Sequence, residues 1–168
     1  MKLTAKIAIL FMAVLTTSIA SAQDKPASPP ATATGTINGA KITINYSSPF
    51  VKGRKIWGEL VPYGQVWRAG ANDATTFETS KAIKVEGKEL PAGKYAFFVI
   101  PEKDGKATII FNTEAKQWGA YKYDVAKDAL RVTVTTKTSK PAESLTYKVN
   151  ANNVTLSWEN LEIPVSIK

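Results

Sequence analysis

The chain has 168 residues and a formal charge of +8, and it contains neither Cys nor His. That excludes disulfides, thiol nucleophiles, thiolate metal sites, the commonest zinc ligand and the usual catalytic triads. Lys residues interleave with acidic ones instead of gathering with Arg and aromatics on one stretch, which argues against a nucleic-acid partner.

Residues 1–22 follow the layout of a secretory signal peptide: Lys2 and Lys6, an apolar run from Ile7 to Leu15, then Ala20-Ser21-Ala22. The run is shorter than the roughly 20 residues that span a bilayer, and no Cys follows for lipid attachment. The expectation is therefore export, to the periplasm or the medium, with no membrane span. Residues 23–33, with Pro26, Pro29 and Pro30 among small side chains, read as a disordered Pro-rich tether. The remainder, 34–168, suits a single domain with one core.

That domain opens with a hairpin: Thr34 to Ile37, the dipeptide Asn38-Gly39, and Lys41 to Tyr46. Asn-Gly supplies the positive φ angles of a tight I′ turn, and the alternation turns Ile42, Ile44 and Tyr46 inward. From Ser47 to Gln65 the strand period breaks at Pro49, Gly53, Gly58, Pro62 and Gly64, which predicts a long structured connection with one helical turn near Ile56 to Leu60. Val66 to Arg68 reads as a brief strand, and Thr75 to Thr79 is extended again. After turns at Glu86-Gly87-Lys88 and Leu90 to Gly93, Lys94 to Ile100 is apolar on both faces, which predicts a central strand covered on each side. Lys103-Asp104-Gly105 then turns the chain into Ala107 to Asn112.

Glu114 to Ala129 is a second irregular region, carrying Trp118, Gly119, Tyr121 and Tyr123 with neither period. A period of two returns in Leu130, Val132 and Val134, in Leu145, Tyr147 and Val149, and in Val154, Leu156 and Trp158, so that Trp158 belongs to the core. Leu161 to Ile167 reads as a last strand, placed at an edge by Pro164. About ten short strands without a helical period predict an all-β fold, an antiparallel β-sandwich that is jelly-roll-like, with a β-barrel as the alternative.

Chemistry-bearing residues concentrate between Trp57 and Glu78, a stretch holding two of the four Trp. Only Arg54, Arg68 and Arg131 stand against nineteen Lys, and the first two lie in or beside this stretch. Where Lys fills most cationic positions, an Arg points to a need for its planar, multi-donor fork. Arg68 could grip a ligand carboxylate, phosphate or sugar hydroxyl, or it could bond loop carbonyls and stack on Trp57 or Trp67. Trp57, Tyr63, Trp67 and Trp118 could form a platform for a sugar ring, oriented by Asn72, Thr75 and Asn112, or could plug one end of the sandwich. Glu59, Asp73, Glu78 and Asp124 offer carboxylates for glycoside cleavage if two of them face one cleft, and are otherwise solvated surface groups. No calcium-loop pattern and no cofactor motif is present.

These residues also carry a resemblance. Arg54-Lys55-Ile56-Trp57-Gly58, the run Tyr63 to Asn72 with Ala74-Thr75, Leu90 to Tyr95, and Trp118-Gly119 together resemble the bacterial exported domain of unknown function family 2911, from about Ser47 to Lys168. The resemblance implies export and an all-β domain, and directs attention to Trp67, Arg68, Gly70, Asn72 and Thr75 without giving them a role. The residues themselves favour a non-catalytic exported protein that binds a small polar ligand, such as a saccharide or cell-envelope component, at the Trp57 to Thr75 loop. The alternatives are a structural or protein-interaction domain with the loop as a folding plug, and a carboxylate-dependent glycosidase.

Overall fold

The computed structural model describes residues 26–168. The signal-peptide reading of residues 1–22 and the start of the tether lie outside the described residues. Ten strands follow in order: β1 (Pro30–Ile37), β2 (Ala40–Ser47), β3 (Thr76–Thr79), β4 (Ile83–Val85), β5 (Lys88–Leu90), β6 (Gly93–Pro101), β7 (Lys106–Asn112), β8 (Asp128–Thr135), β9 (Lys137–Val149) and β10 (Asn153–Ser166).

Asn38 and Gly39, at φ 49° and 77°, close β1 onto β2 with Ile37 opposite Ala40, as the Asn-Gly signal demands. β1 begins at Pro30 opposite Ser47, so the last residues of the Pro-rich segment are strand and not tether. β1 is the outermost strand of its sheet, and an edge strand accepts proline at its first position.

One layer is a six-stranded antiparallel sheet in the order β1-β2-β3-β6-β7-β8. The facing layer is built from β9 and β10, extended by the β4–β5 hairpin. The hairpin is bonded to the end of β10 through Lys84 and Lys168, whose amides and carbonyls exchange hydrogen bonds of 2.7 and 2.9 Å. Along the other edge of β9, the Val51 amide donates to Glu143 and the Leu145 amide to Pro49. The result is an open sandwich, not a closed barrel. Its core fills the space between the layers with Ile42, Ile44, Phe77, Phe97 and Phe111 on one side and Leu145, Leu156, Trp158, Ile163 and Val165 on the other.

β6 is covered on both faces. Tyr95, Phe97 and Val99 enter the main core, whereas Ala96 and Phe98 join Ala74 and Ile110 in a second, smaller cluster on the outer side of the sheet. Val66, Ala120 and Tyr123 pack over that cluster, so the irregular segment after β7 acts as its lid. Asn112 anchors the lid: its Nδ2 donates to the Asp124 carbonyl and to Asp128 Oδ1, both at 2.9 Å.

The expected separate strand from Leu161 is the continuation of β10. Glu159, at φ 53°, lies in an irregularity of the pairing with β9, where the step from Ser157 to Leu161 on β10 is matched by the longer step from Thr146 to Thr138 on β9. Across it the buried set of β10 passes from Val154, Leu156 and Trp158 to Ile163, Val165 and Ile167. Pro164 falls where β10 leaves β9 for the β4 side, after the Glu162–Lys137 pair and before the Glu86 to Ser166 bond. The segment near Ile56 to Leu60 is a reverse turn and not a helical one, with the Val61 amide donating to Ile56 at 2.9 Å.

Candidate functional site

The loop from Ser47 to Thr75 is tied to the strands at separate points: at Pro49 and Val51 to β9, and at Gly64, Trp67 and Thr75 to β6. Trp67 bonds to Val99 through both its amide and its carbonyl at 2.9 Å, which is all that remains of the brief strand read there. Beyond it the chain turns sharply. Ala69 takes φ 53° and Asn72 φ 59°, left-handed values that Asn tolerates better than most residues. The Ala69 carbonyl accepts two hydroxyls, from Thr75 at 2.9 Å and from Tyr147 at 2.7 Å. Tyr147 sits in the core, and burial holds its phenol well above its ordinary pKa.

The tryptophans of this loop belong largely to the fold. Trp57 is 6% exposed and meets Trp67 and Trp158 edge-on, at centroid distances of 5.7 and 6.2 Å. Trp67 stacks on Trp158 at 5.9 Å with planes 15° apart. Such pairs contribute about 0.5–1.5 kcal/mol each beyond burial. Thr75 and Asn112 are fully buried, and their polar atoms are bonded, with Asn112 Oδ1 accepting the Glu114 amide at 3.0 Å beside the bonds already given. Arg54 uses its fork internally, donating from Nε to Val51 at 3.0 Å and from Nη2 to the Phe50 carbonyl.

Arg68 is different. Among the described residues it enters no ion pair, and its Nε is buried without an acceptor. The Nε1 of Trp158 is likewise buried and unpartnered. Both side chains line one hollow of about 340 Å³, together with Arg54, Trp67, Gly70 and Asn72. Asn72 faces it from the exposed end and donates to Ser47 Oγ at 3.3 Å. The stretch around Arg68 therefore brings Arg54, Trp67, Arg68 and Asn72 to one place. The set is rich in N–H donors, and it suits acceptor oxygens: a carboxylate, a phosphate or sugar oxygens. The contribution of Trp158 had no sequence signal, because alternation along β10 marks it only as core.

The other candidates lie elsewhere. Trp57 and Tyr63 border a separate hollow of about 330 Å³ beside Lys55, Lys103 and Lys106. Trp118 stands 62% exposed at a third hollow, on the lid. The lid and the Arg68 loop are nevertheless stitched together, since the Gly119 amide donates to Asn72 at 3.2 Å and the Ala74 amide to Gln117 at 2.9 Å. A Cβ on Gly119 would come within 3.4 Å of Arg68 Nη1 and 3.0 Å of the Tyr121 ring. Gly suits this position because its φ is 63° and the space between the two segments is tight.

The carboxylates do not assemble. Glu59 pairs with Lys55 at 3.2 Å, Asp73 borders a shallow hollow with Lys94, Glu78 lies exposed on β3, and Asp124 caps the short turn after Tyr123 by accepting from the Ala126 amide. No two of the four line a common hollow among those described. Among the described residues, no group of three or more acidic side chains is placed to hold a metal ion, and no helix is long and apolar enough to cross a membrane.

The chain belongs to a family described as "Protein of unknown function (DUF2911)", whose model matches residues 28–167. That span includes the β1–β2 hairpin as well as the motifs around Trp67 and Trp118. No curated protein and no solved structure matches the chain.

Proposed function

We propose that this protein is an exported, non-catalytic β-sandwich that binds a small polar ligand, such as a saccharide or cell-envelope fragment, at the Arg68 hollow. Two of the residues that line this hollow, Arg68 and Trp158, carry buried N–H donors, Nε and Nε1, that lack acceptors among the described residues, and this observation carries the reading. A buried donor left unpaired costs about 1–3 kcal/mol, and an incoming ligand oxygen recovers that loss. Trp67 supplies an apolar wall, while Arg54 and Asn72 stand at the same hollow. Export is supported by the signal-like layout of residues 1–22.

Calorimetric titration of a panel of glycans and cell-wall fragments tests the reading. Wild type is expected to bind at least one member, and Arg68→Gln to bind it about tenfold or more weakly, equivalent to roughly 1.4 kcal/mol, while keeping its β-sheet circular dichroism. Absence of binding to every member, together with a large drop in the variant's melting temperature, would support a second reading. In that reading the loop is a folding plug and the protein works through a partner. It is motivated by the Trp57, Trp67 and Trp158 cluster, which closes the end of the core.

A further inference from the structure

The lid carries a hollow of its own, about 510 Å³, bordered by Lys116, Gln117, Trp118, Tyr121 and Lys122, with the Lys127–Glu114 pair at its rim. Gln117 is only 8% exposed. Its Nε2 donates to the Glu114 carbonyl at 2.7 Å and lies 3.5 Å from Asn112 Oδ1. Both partners are acceptors. Asn112 is itself fixed, since its Nδ2 faces two further acceptors and its Oδ1 receives the Glu114 amide at 3.0 Å. Neither amide can be turned round without placing oxygen against oxygen. Gln117 Oε1 is consequently a buried acceptor with no donor among the described residues.

Around this acceptor the lid exposes what a folded protein usually covers. Trp118 is 62% and Tyr121 84% exposed, and with Val125 they make up three of the five large hydrophobic residues exposed on the described chain. Lys127 is engaged by Glu114 at 2.7 Å, but Lys116 and Lys122 enter no ion pair among the described residues. An unmet acceptor requires an O–H or N–H, two aromatic side chains offer apolar faces to the C–H face of a sugar, and two unpaired ammonium groups favour an anion. A flat anionic bilayer would satisfy the lysines and aromatics, but it presents chiefly phosphate acceptors where the hollow needs a donor.

We propose that the lid hollow is a binding site for an acidic saccharide, a pyranose bearing a carboxylate. A ring hydroxyl donates to Gln117 Oε1, the ring lies against Trp118 and Tyr121, and Lys116 and Lys122 meet the carboxylate. The site is distinct from the Arg68 hollow and does not depend on that hollow being occupied.

The test titrates the protein at low salt with a galacturonic acid oligomer and with a neutral galactose oligomer of equal length, reading heat and tryptophan emission. The acidic oligomer is expected to bind about tenfold or more tightly than the neutral one, with a change in emission from Trp118. Trp118→Ala should abolish that binding, and the Lys116→Gln/Lys122→Gln pair should remove the preference for the acid. The substituted lid residues are exposed, so their melting temperatures should match wild type. Equal affinity for the two oligomers, no millimolar binding of either, or acidic binding that survives Trp118→Ala would overturn the proposal. Binding lost in Arg68→Gln but kept in Trp118→Ala would move the saccharide to the other hollow. Binding of phosphatidylglycerol vesicles without either oligomer would reassign the lid to a lipid surface.

Discussion

The Ala69 carbonyl accepts from two hydroxyls, those of Thr75 and Tyr147, and so holds the chain in a left-handed turn that alanine resists and that sets the direction of Arg68. Either hydroxyl can be lost while the other still satisfies the carbonyl. Thr75→Val and Tyr147→Phe are therefore expected to cost about 1 kcal/mol each, and the double substitution more than their sum, by roughly 1–3 kcal/mol. Urea denaturation of the four proteins measures this coupling, and strict additivity would show that the two bonds act independently. Gly70 next to this turn has no room for a side chain, since a Cβ would lie 2.9 Å from Thr75 Oγ1 and 3.1 Å from the Ser47 carbonyl. Gly70→Ala should lower stability by about 1–3 kcal/mol through overpacking. At this scale the sequence singled out Trp67, Arg68, Gly70, Asn72 and Thr75, but it could not separate groups that face a hollow from groups that hold the turn. That distinction rests on where Tyr147 and Trp158 arrive from β9 and β10, about eighty to ninety positions further along the chain than the turn they meet.

Among the elements, β10 exchanges the face it buries across the irregularity around Glu159. Deleting Glu159 would move every following residue by one position and turn Ile163, Val165 and Ile167 out of the core. Exposing three such side chains costs about 5–9 kcal/mol at 1.5–3 each, which rivals the whole stability of an ordinary domain. The deletion is expected to abolish cooperative unfolding in a thermal melt monitored by circular dichroism, whereas Glu159→Gly, which keeps the register and suits the positive φ, should stay within about 1 kcal/mol of wild type. The lid makes a second contrast. Phe98 is fully buried beneath it, whereas Trp118 on the same segment is mostly in water. Phe98→Ala should cost about 3–5 kcal/mol and Trp118→Ala almost nothing, a difference that chemical denaturation resolves directly. The two-sided apolar character of β6 was plain in Tyr95 to Ile100, but what covers its outer face was not, because the covering segment has no period of its own.

For the molecule as a whole, the absence of His leaves no side chain whose ordinary pKa lies between about 6 and 8. Above that range, three tyrosines take over. Burial raises Tyr95 and, more strongly, Tyr147, while Tyr123 is pushed up to about 12 by burial and by its hydrogen bond to Asp128. In the unfolded chain each ionises near 10, so above that pH the folded state retains protons that the unfolded state has lost. Stability should accordingly be flat from about pH 6 to 9 and fall as pH rises from 10 toward 12. Tyr123→Phe should lessen that fall, as denaturation midpoints across the range will show; an unchanged alkaline limb would mean that Tyr123 is not protected by the fold. By itself the sequence determined the all-β class, the tight Asn-Gly hairpin, the inward faces of β2, β8 and β9, and the exclusion of thiol and imidazole chemistry, because these follow from residue type and local period. Only the tertiary structure decided the strand order, the irregularity around Glu159, the division of the candidate residues among three hollows, and the orphaned groups Arg68 Nε, Trp158 Nε1 and Gln117 Oε1. The physical reason is that a hydrogen-bonding group is satisfied or orphaned by neighbours far away in the chain, and no local pattern encodes which neighbours those are.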